Sequence, residues 1–259
     1  MGAVLVAVAA HTMVAFSLVG QRWTAETISV EVSLGPAAGL VDGSADWDAC
    51  ARQSLDAWNA ALAPTAVRFN AVTGGVDFPM AFDRVNSVGF ADDVFGTPFG
   101  PSLLSVTQSF AHVQDGLDAT FEADVLINRS QAFNCYRGVQ ESGPPVYDLR
   151  RTVTHALGHV IGLGHPDAAG QDVTALMNAG LGDVDTLQPN DLQGALTLAG
   201  VAMAGIPFPP RNEALTFYES LEVEYRDTLQ RSQTNEGYVD AEGSAVWFPE
   251  WLRYVLNGC

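Results

Sequence analysis

The chain has 259 residues, 47% of them hydrophobic, enough for one large domain or for one medium domain with an appendage. Thirty acidic residues face twelve basic ones, all arginine, for a formal net charge of -18. So acidic a surface repels nucleic acid and anionic lipid and argues against both as partners, and no stretch reaches the eighteen or so apolar residues of a membrane helix.

Residues 1–12 open on small apolar side chains from Met1 to Ala10. They read as the remnant of a secretory signal, with Ala10-His11-Thr12 near a cleavage point, or as a buried strand, because the usual basic start is missing. Residues 27–33 alternate around Ile28, Val30 and Val32, a strand pattern. Residues 47–62 read as a helix with Ala51, Leu55, Trp58 and Leu62 on one face. Residues 67–72 are strand-like, 78–101 are rich in turn formers, and 103–110 and 123–128 read as further strands. Within the turn-rich stretch, Asp92 and Asp93 have the chemistry of calcium ligands, but two adjacent loop carboxylates are more simply solvated and nothing else supports calcium.

The chain has three cysteines, too scattered for a metal cluster. In an exported protein that count gives one disulfide and one thiol. Cys50 falls in the expected helix and Cys135 just after an expected strand, so Cys50–Cys135 is the first pairing; Cys135–Cys259 is the alternative.

Three of the five histidines, His155, His159 and His165, fall within the segment His155-Ala156-Leu157-Gly158-His159-Val160-Ile161-Gly162-Leu163-Gly164-His165. On a helix over 149–161, positions four apart lie about 40° apart and one turn along, so His155 and His159 point the same way. Continued helix would turn His165 about 240° from His159, so the helix must stop between them. Gly162 is the residue that stops it, because glycine enters left-handed conformations without a Cβ penalty. Two ligands on a helix, a glycine turn and a third ligand on the returning chain suit one zinc ion with one open position, as catalytic sites have.

This segment resembles the long zinc signature of the metzincin peptidases, H-E-x-x-H-x-x-G-x-x-H followed by a methionine turn. Met177, in Ala175-Leu176-Met177-Asn178, is placed as that methionine. The likeness extends to the matrixin branch through Tyr147-Asp148-Leu149-Arg150, through Glu122-Ala123-Asp124-Val125-Leu126-Ile127-Asn128 and through Leu187-Gln188-Pro189-Asn190-Asp191-Leu192-Gln193-Gly194. Residues 16–23 and 27–34 resemble the opening strands, so the resemblance spans roughly 14–200. It implies a secreted zinc metalloendopeptidase of α+β, zincin type: a twisted, mostly parallel mixed sheet, an active-site helix, a methionine turn and a C-terminal helix. It also implies that Leu103, Leu104, Ser105, Val106 and Thr107 form a cleft rim that pairs with substrate backbone, and that 178–186 line the specificity pocket. The chain departs from the family at Ala156, where the general-base glutamate belongs; a methyl group accepts no proton, and losing a general base slows such reactions by about 10²–10⁴. Asp148 is expected near the helix N-terminus, and Asp167 either orients a ligand histidine or is a plain loop aspartate. Zinc binding should survive, so the expectation is an impaired peptidase or, alternatively, a non-catalytic zinc-containing protein that binds peptides. The histidine-rich loop of animal matrixins is missing. Cys259 as a latency ligand is disfavoured, because its neighbours do not match the propeptide motif.

Residues 190–198 read as another helix, and Ile206-Pro207-Phe208-Pro209-Pro210 as a linker. Beyond it, 213–231 read as an amphipathic helix, and Trp247, Phe248, Trp251 and Tyr254 make the tail aromatic. The expected division is therefore 1–12, a metallopeptidase domain over 13–203 and a helical extension over 204–259, in a secreted bacterial monomer with peptide or protein substrates.

Overall fold

The computed structural model describes residues 16–73, 79, 81, 83–114, 117–139, 146–200, 237–239, 245–247 and 252–258. In chain order, β1 (Ser17–Leu18), β2 (Gln21–Trp23) and β3 (Thr27–Ser33) precede α1 (Trp47–Ala61). Next come β4 (Arg68–Val72), β5 (Asn86–Ala91), β6 (Asp93–Val94), β7 (Thr97–Pro98), β8 (Ser105–Gln114) and β9 (Leu117–Asn128). Then β10 (Phe133–Asn134) and β11 (Tyr147–Asp148) lead into α2 (Leu149–Ile161), followed by β12 (Leu163–Gly164) and α3 (Pro189–Leu198). The last elements are β13 (Gly237–Val239), β14 (Ala245–Trp247) and β15 (Leu252–Gly258).

The main sheet runs β4-β3-β5-β9-β8-β15, and β2 also pairs with β9. The β4–β3, β3–β5, β5–β9 and β2–β9 pairings are parallel; β8 is antiparallel to both β9 and β15. The alternation of β3 is the sequence pattern made solid: Ile28, Val30 and Val32 are buried, while Thr27 and Ser29 face water. With Val88, Phe90, Val125 and Ile127 they form a core under α1 and α2. The expected face of α1, Ala51, Leu55, Trp58 and Leu62, is buried there. Fully burying one such large apolar side chain stabilises by about 1.5–3 kcal/mol. Trp58 also donates its Nε1–H to the Thr154 carbonyl at 2.8 Å, which locks α1 to α2.

Several boundaries depart from expectation. The turn-rich stretch 78–101 contains β5, a central strand paired on both sides. Its residues from Ser87 to Ala91 are all buried, so its two faces show no polar alternation, and Gly89 hides it further. A Cβ at Gly89 would meet Pro79 Cδ at 2.8 Å, so the position requires glycine's bare backbone. β9 starts at Leu117 rather than 123. Leu103 and Leu104 precede β8 instead of belonging to it: Leu103 N–H closes a turn on Gly100 O at 3.1 Å, and Asn128 binds the carbonyls of both leucines.

Cys50 and Cys135 form a disulfide with Cα atoms 6.1 Å apart, which settles the pairing against Cys135–Cys259. It joins α1 to the segment before α2. The expected signal remnant 1–12, helix 213–231 and Cys259 lie outside the described residues. Residues 237–239 and 245–247 form an antiparallel pair, and 252–258 extend the main sheet. Among the described residues no helix is long and apolar enough to cross a membrane.

Candidate metal centre

Asp148 starts α2. Its side chain accepts from Arg150 N–H at 3.1 Å, as a cap should, and its carboxylate pairs with Arg150 Nη2 at 3.2 Å. Arg151 donates to the carbonyls of Gly138 and Gly182, and Arg150 Nη1 to Asp185 O at 3.0 Å. The lead-in arginines therefore fasten two loops to the first turn of the helix.

The far end of α2 stops at Gly162, with φ 116°, a left-handed residue whose N–H bonds back to Gly158 and His159 carbonyls. Both reasons for glycine apply here. The φ lies where L side chains are strained, and a Cβ would come within 2.5 Å of Gln21 O. The chain then returns through β12, which pairs antiparallel with β1: Leu18 opposite Leu163 and Ser17 opposite Gly164. Val19 N–H donates to Gly162 O at 2.9 Å, and Trp23 Nε1–H to Val160 O at 2.7 Å. The N-terminal segment thus braces the turn that delivers His165, a role no sequence pattern marked.

The three histidines converge. His155 Nε2 lies 3.0 Å from His159 Nε2 and 3.1 Å from His165 Nε2. Nitrogens bound to one tetrahedral zinc at about 2.0–2.1 Å would lie about 3.3–3.4 Å apart, close to these spacings. His155 Nδ1 is 2.8 Å from Leu176 O and His159 Nδ1 is 2.8 Å from Leu163 O. Carbonyls only accept, so each Nδ1 carries the proton and each Nε2 presents a lone pair inward. Burial, reinforced by the charge of His165, holds His155 down to a pKa of about 3; burial likewise depresses His159 and His165. Neutral imidazoles with lone pairs turned to one point repel unless a cation sits among them. The donor set fits zinc, and among the described residues these three are the one group whose ligand atoms cluster so closely.

Beneath the helix lies Met177, fully buried, so near Gly158 that a Cβ there would overlap its Sδ. The turn around it is held from α3. Asp191 accepts from Leu176 N–H at 2.9 Å, from Met177 N–H at 3.2 Å and from Gln188 N–H at 2.7 Å. Leu176 in turn offers its carbonyl to His155. Asp191, expected only as a first-turn acid of the last helix, therefore positions His155 through the turn around Met177. Its spacing to Met177 in the sequence carried no hint of this, because the contact depends on how α3 folds back.

Ala156 is fully buried, and its carbonyl accepts from Thr107 Oγ1 at 3.3 Å, which sets β8 against the histidine helix. Ser105, Val106 and Thr107 are buried in β8, whose outer side is paired with β15. Asp167 takes the plainer of its two expected roles: Oδ1 accepts from the Ala168 and Ala179 amides, while backbone carbonyls orient His155 and His159. Asp92 pairs with exposed Arg129 at 3.3 Å, and Asp93 accepts from Gly96 N–H at 2.7 Å, a turn contact. Asp185 and Thr186 line a cavity of about 540 Å³ with Gln53, Asp56 and Arg150; none of the three histidines lines it, so it gives the expected specificity pocket no support.

No family model and no curated protein matches this chain. Among solved structures it is similar to one titled "GM1 bound form of the ECX AB5 holotoxin", at 14% identity, over 67% of this chain and 80% of that one, with a TM-score of 0.38. A likeness at that level carries no argument about fold or activity.

Proposed function

We propose that this chain is a secreted, matrixin-like zinc metalloendopeptidase whose present sequence, with Ala156, retains the metal and the peptide groove and lacks the general base. The observation that carries the proposal is the convergence of the three Nε2 atoms, two of them oriented by backbone carbonyls. His155, His159 and His165 would hold the ion. Zinc bound in such a site supplies a water of lowered pKa and polarises a carbonyl. The chain's own residues do the rest of the positioning: Gly162 turns the backbone, β1 braces the returning segment, and Asp191 with Leu176 fixes His155.

The proton transfer is what the chain lacks. In the family the residue after the first histidine takes a proton from water and passes it to the leaving amine. Ala156 does neither. Asp148 is committed to the helix cap and to Arg150, and Asp167 to two loop amides, so neither carboxylate replaces it. Ala156 equally favours a second reading, a receptor that uses zinc and groove to bind peptides without cutting them. The disulfide supports an oxidising, extracellular setting.

Ala156→Glu separates the two. Assayed on casein with zinc present, the variant is expected to gain roughly 10²–10⁴-fold in cleavage rate. Zinc-loaded Ala156→Glu protein that stays silent would instead support the receptor reading.

A further inference from the structure

β8 has two edges, and both are taken. One pairs with β9 from Ser105 opposite Ile127 to Gln114 opposite Leu117. The other pairs with β15, from Leu252 opposite His112 to Gly258 opposite Val106. A strand has no third edge, so the N–H and C=O groups of 106–112 that turn away from β9 face residues 252–258. The two ends of this ladder are not equivalent. Asn257 is opposite Thr107, whose hydroxyl donates to the Ala156 carbonyl, and Ala156 adjoins His155. Gly258 approaches Leu103 so closely that a Cβ there would lie 3.0 Å from Leu103 Cδ2. β15 therefore finishes beside the histidine helix, along the rim.

We propose that residues 252–258 are a built-in occupant of the edge on which an extended peptide would add as a strand, and that β8 becomes available only when they leave. This rests on the peptidase reading, which requires a peptide stretched beside α2. Strand addition draws its affinity from main-chain hydrogen bonds, so a segment of the same chain and a foreign peptide compete for the same groups whatever their side chains. Among the described residues β15 is the edge strand of the sheet and pairs with β8 alone, so its departure leaves the other described pairings in place. A tethered competitor acts at an effective concentration on the order of millimolar, which handicaps a free peptide at micromolar levels strongly.

Two proline variants of the full chain test this. Consecutive strand residues turn their N–H groups to opposite edges, so of Tyr254→Pro and Val255→Pro one deletes a donor to β8 and the other a donor on the side of β15 that no described strand pairs, where proline is tolerated. The readouts are amide exchange over 106–112 and the anisotropy of a fluorescein-labelled casein peptide with zinc-loaded protein. The ladder-breaking variant is expected to release the 106–112 amides and to bind the peptide about tenfold or more tighter, with the amides protected again in the complex. Its companion should behave as the parent does. Released amides with unchanged peptide affinity would overturn the proposal. If proline leaves the amides protected, a chain shortened after Trp247 makes the same comparison: a gain upholds the proposal and parental affinity overturns it. The peptidase reading fails on separate observations. An Ala156→Glu chain that never cleaves, while the proline variant still gains peptide, would sink that reading and leave this one. An Ala156→Glu chain that cleaves equally fast with and without the ladder-breaking proline would do the reverse.

Discussion

The histidine turn and the rim of the sheet lie side by side, yet they are built in opposite ways. The turn is local: His155, His159, Gly162 and His165 span eleven residues, and helical geometry with one left-handed glycine does most of the aiming. The rim is assembled from a distance, with β8 flanked by β9 on one side and by residues 252–258 on the other. The difference separates side chains aimed by local geometry from a strand placed by long-range pairing.

Three variants press on that difference. The largest effect on stability should come from removing a long-range tie. The Cys50–Cys135 disulfide spans a sequence separation of 85, for which the chain-entropy relation gives about 4–5 kcal/mol. Cys50→Ser with Cys135→Ser should lower the chemical-denaturation midpoint accordingly while zinc stoichiometry of the folded protein is unchanged; a loss of zinc in the folded state would show that the centre is less local than described. Gly162→Ala attacks the turn itself. Left-handed strain and the approach to Gln21 O together should remove about 3 kcal/mol and displace His165, read as weaker zinc retention against a chelator. Asp191→Ala breaks the tie from α3 to the turn around Met177. Losing the acceptor for Leu176 and Met177 should weaken zinc binding by about 10–100-fold, as losing a partner of a ligand commonly does, whereas a merely structural role would lower stability and leave zinc affinity alone.

What could be read in the chain follows the same division. The α2 boundaries, the convergence of the three histidines and the glycine break were legible because each rests on residues a few positions apart. Trp58 and its helix were legible through periodicity. β5 was not, because a central strand buried on both faces loses the alternation that marks strands. Residues 16–23 resembled an opening strand, but they split into β1 and β2, and the pairing of β1 with β12 was not legible because a two-residue strand has no pattern of its own. Asp191 showed its helix position and hid its hydrogen bonds. Residues 204–259 were expected as a helical extension from the periodicity of 213–231, yet 252–258 pair as a strand, a fact that depends on an edge of the sheet elsewhere in the chain.

A pH-dependent effect lies on the face of the sheet away from α1 and α2. Asp124, between the core residues Ala123 and Val125, accepts from Ser87 Oγ at 2.6 Å, and burial pushes its carboxyl up to about 8 from 3.8. The folded-state pKa exceeds the unfolded one, so the folded chain holds an extra proton between those values, and stability falls as pH rises through that window. Asp124→Asn keeps an acceptor for Ser87 and removes the charge, so it should flatten the fall in melting temperature across that range without altering zinc content. A slope identical to the parent's would show that Asp124 is not the group responsible.

The claim beneath all of this is that three imidazoles share one ion with a position left for water. Elemental analysis of purified protein, combined with zinc absorption spectroscopy, addresses it directly. One zinc per chain is expected, ligated by three imidazole nitrogens and one light atom, and lost in His159→Ala. Protein that purifies and refolds without stoichiometric zinc, or zinc held by a different ligand set, would contradict it.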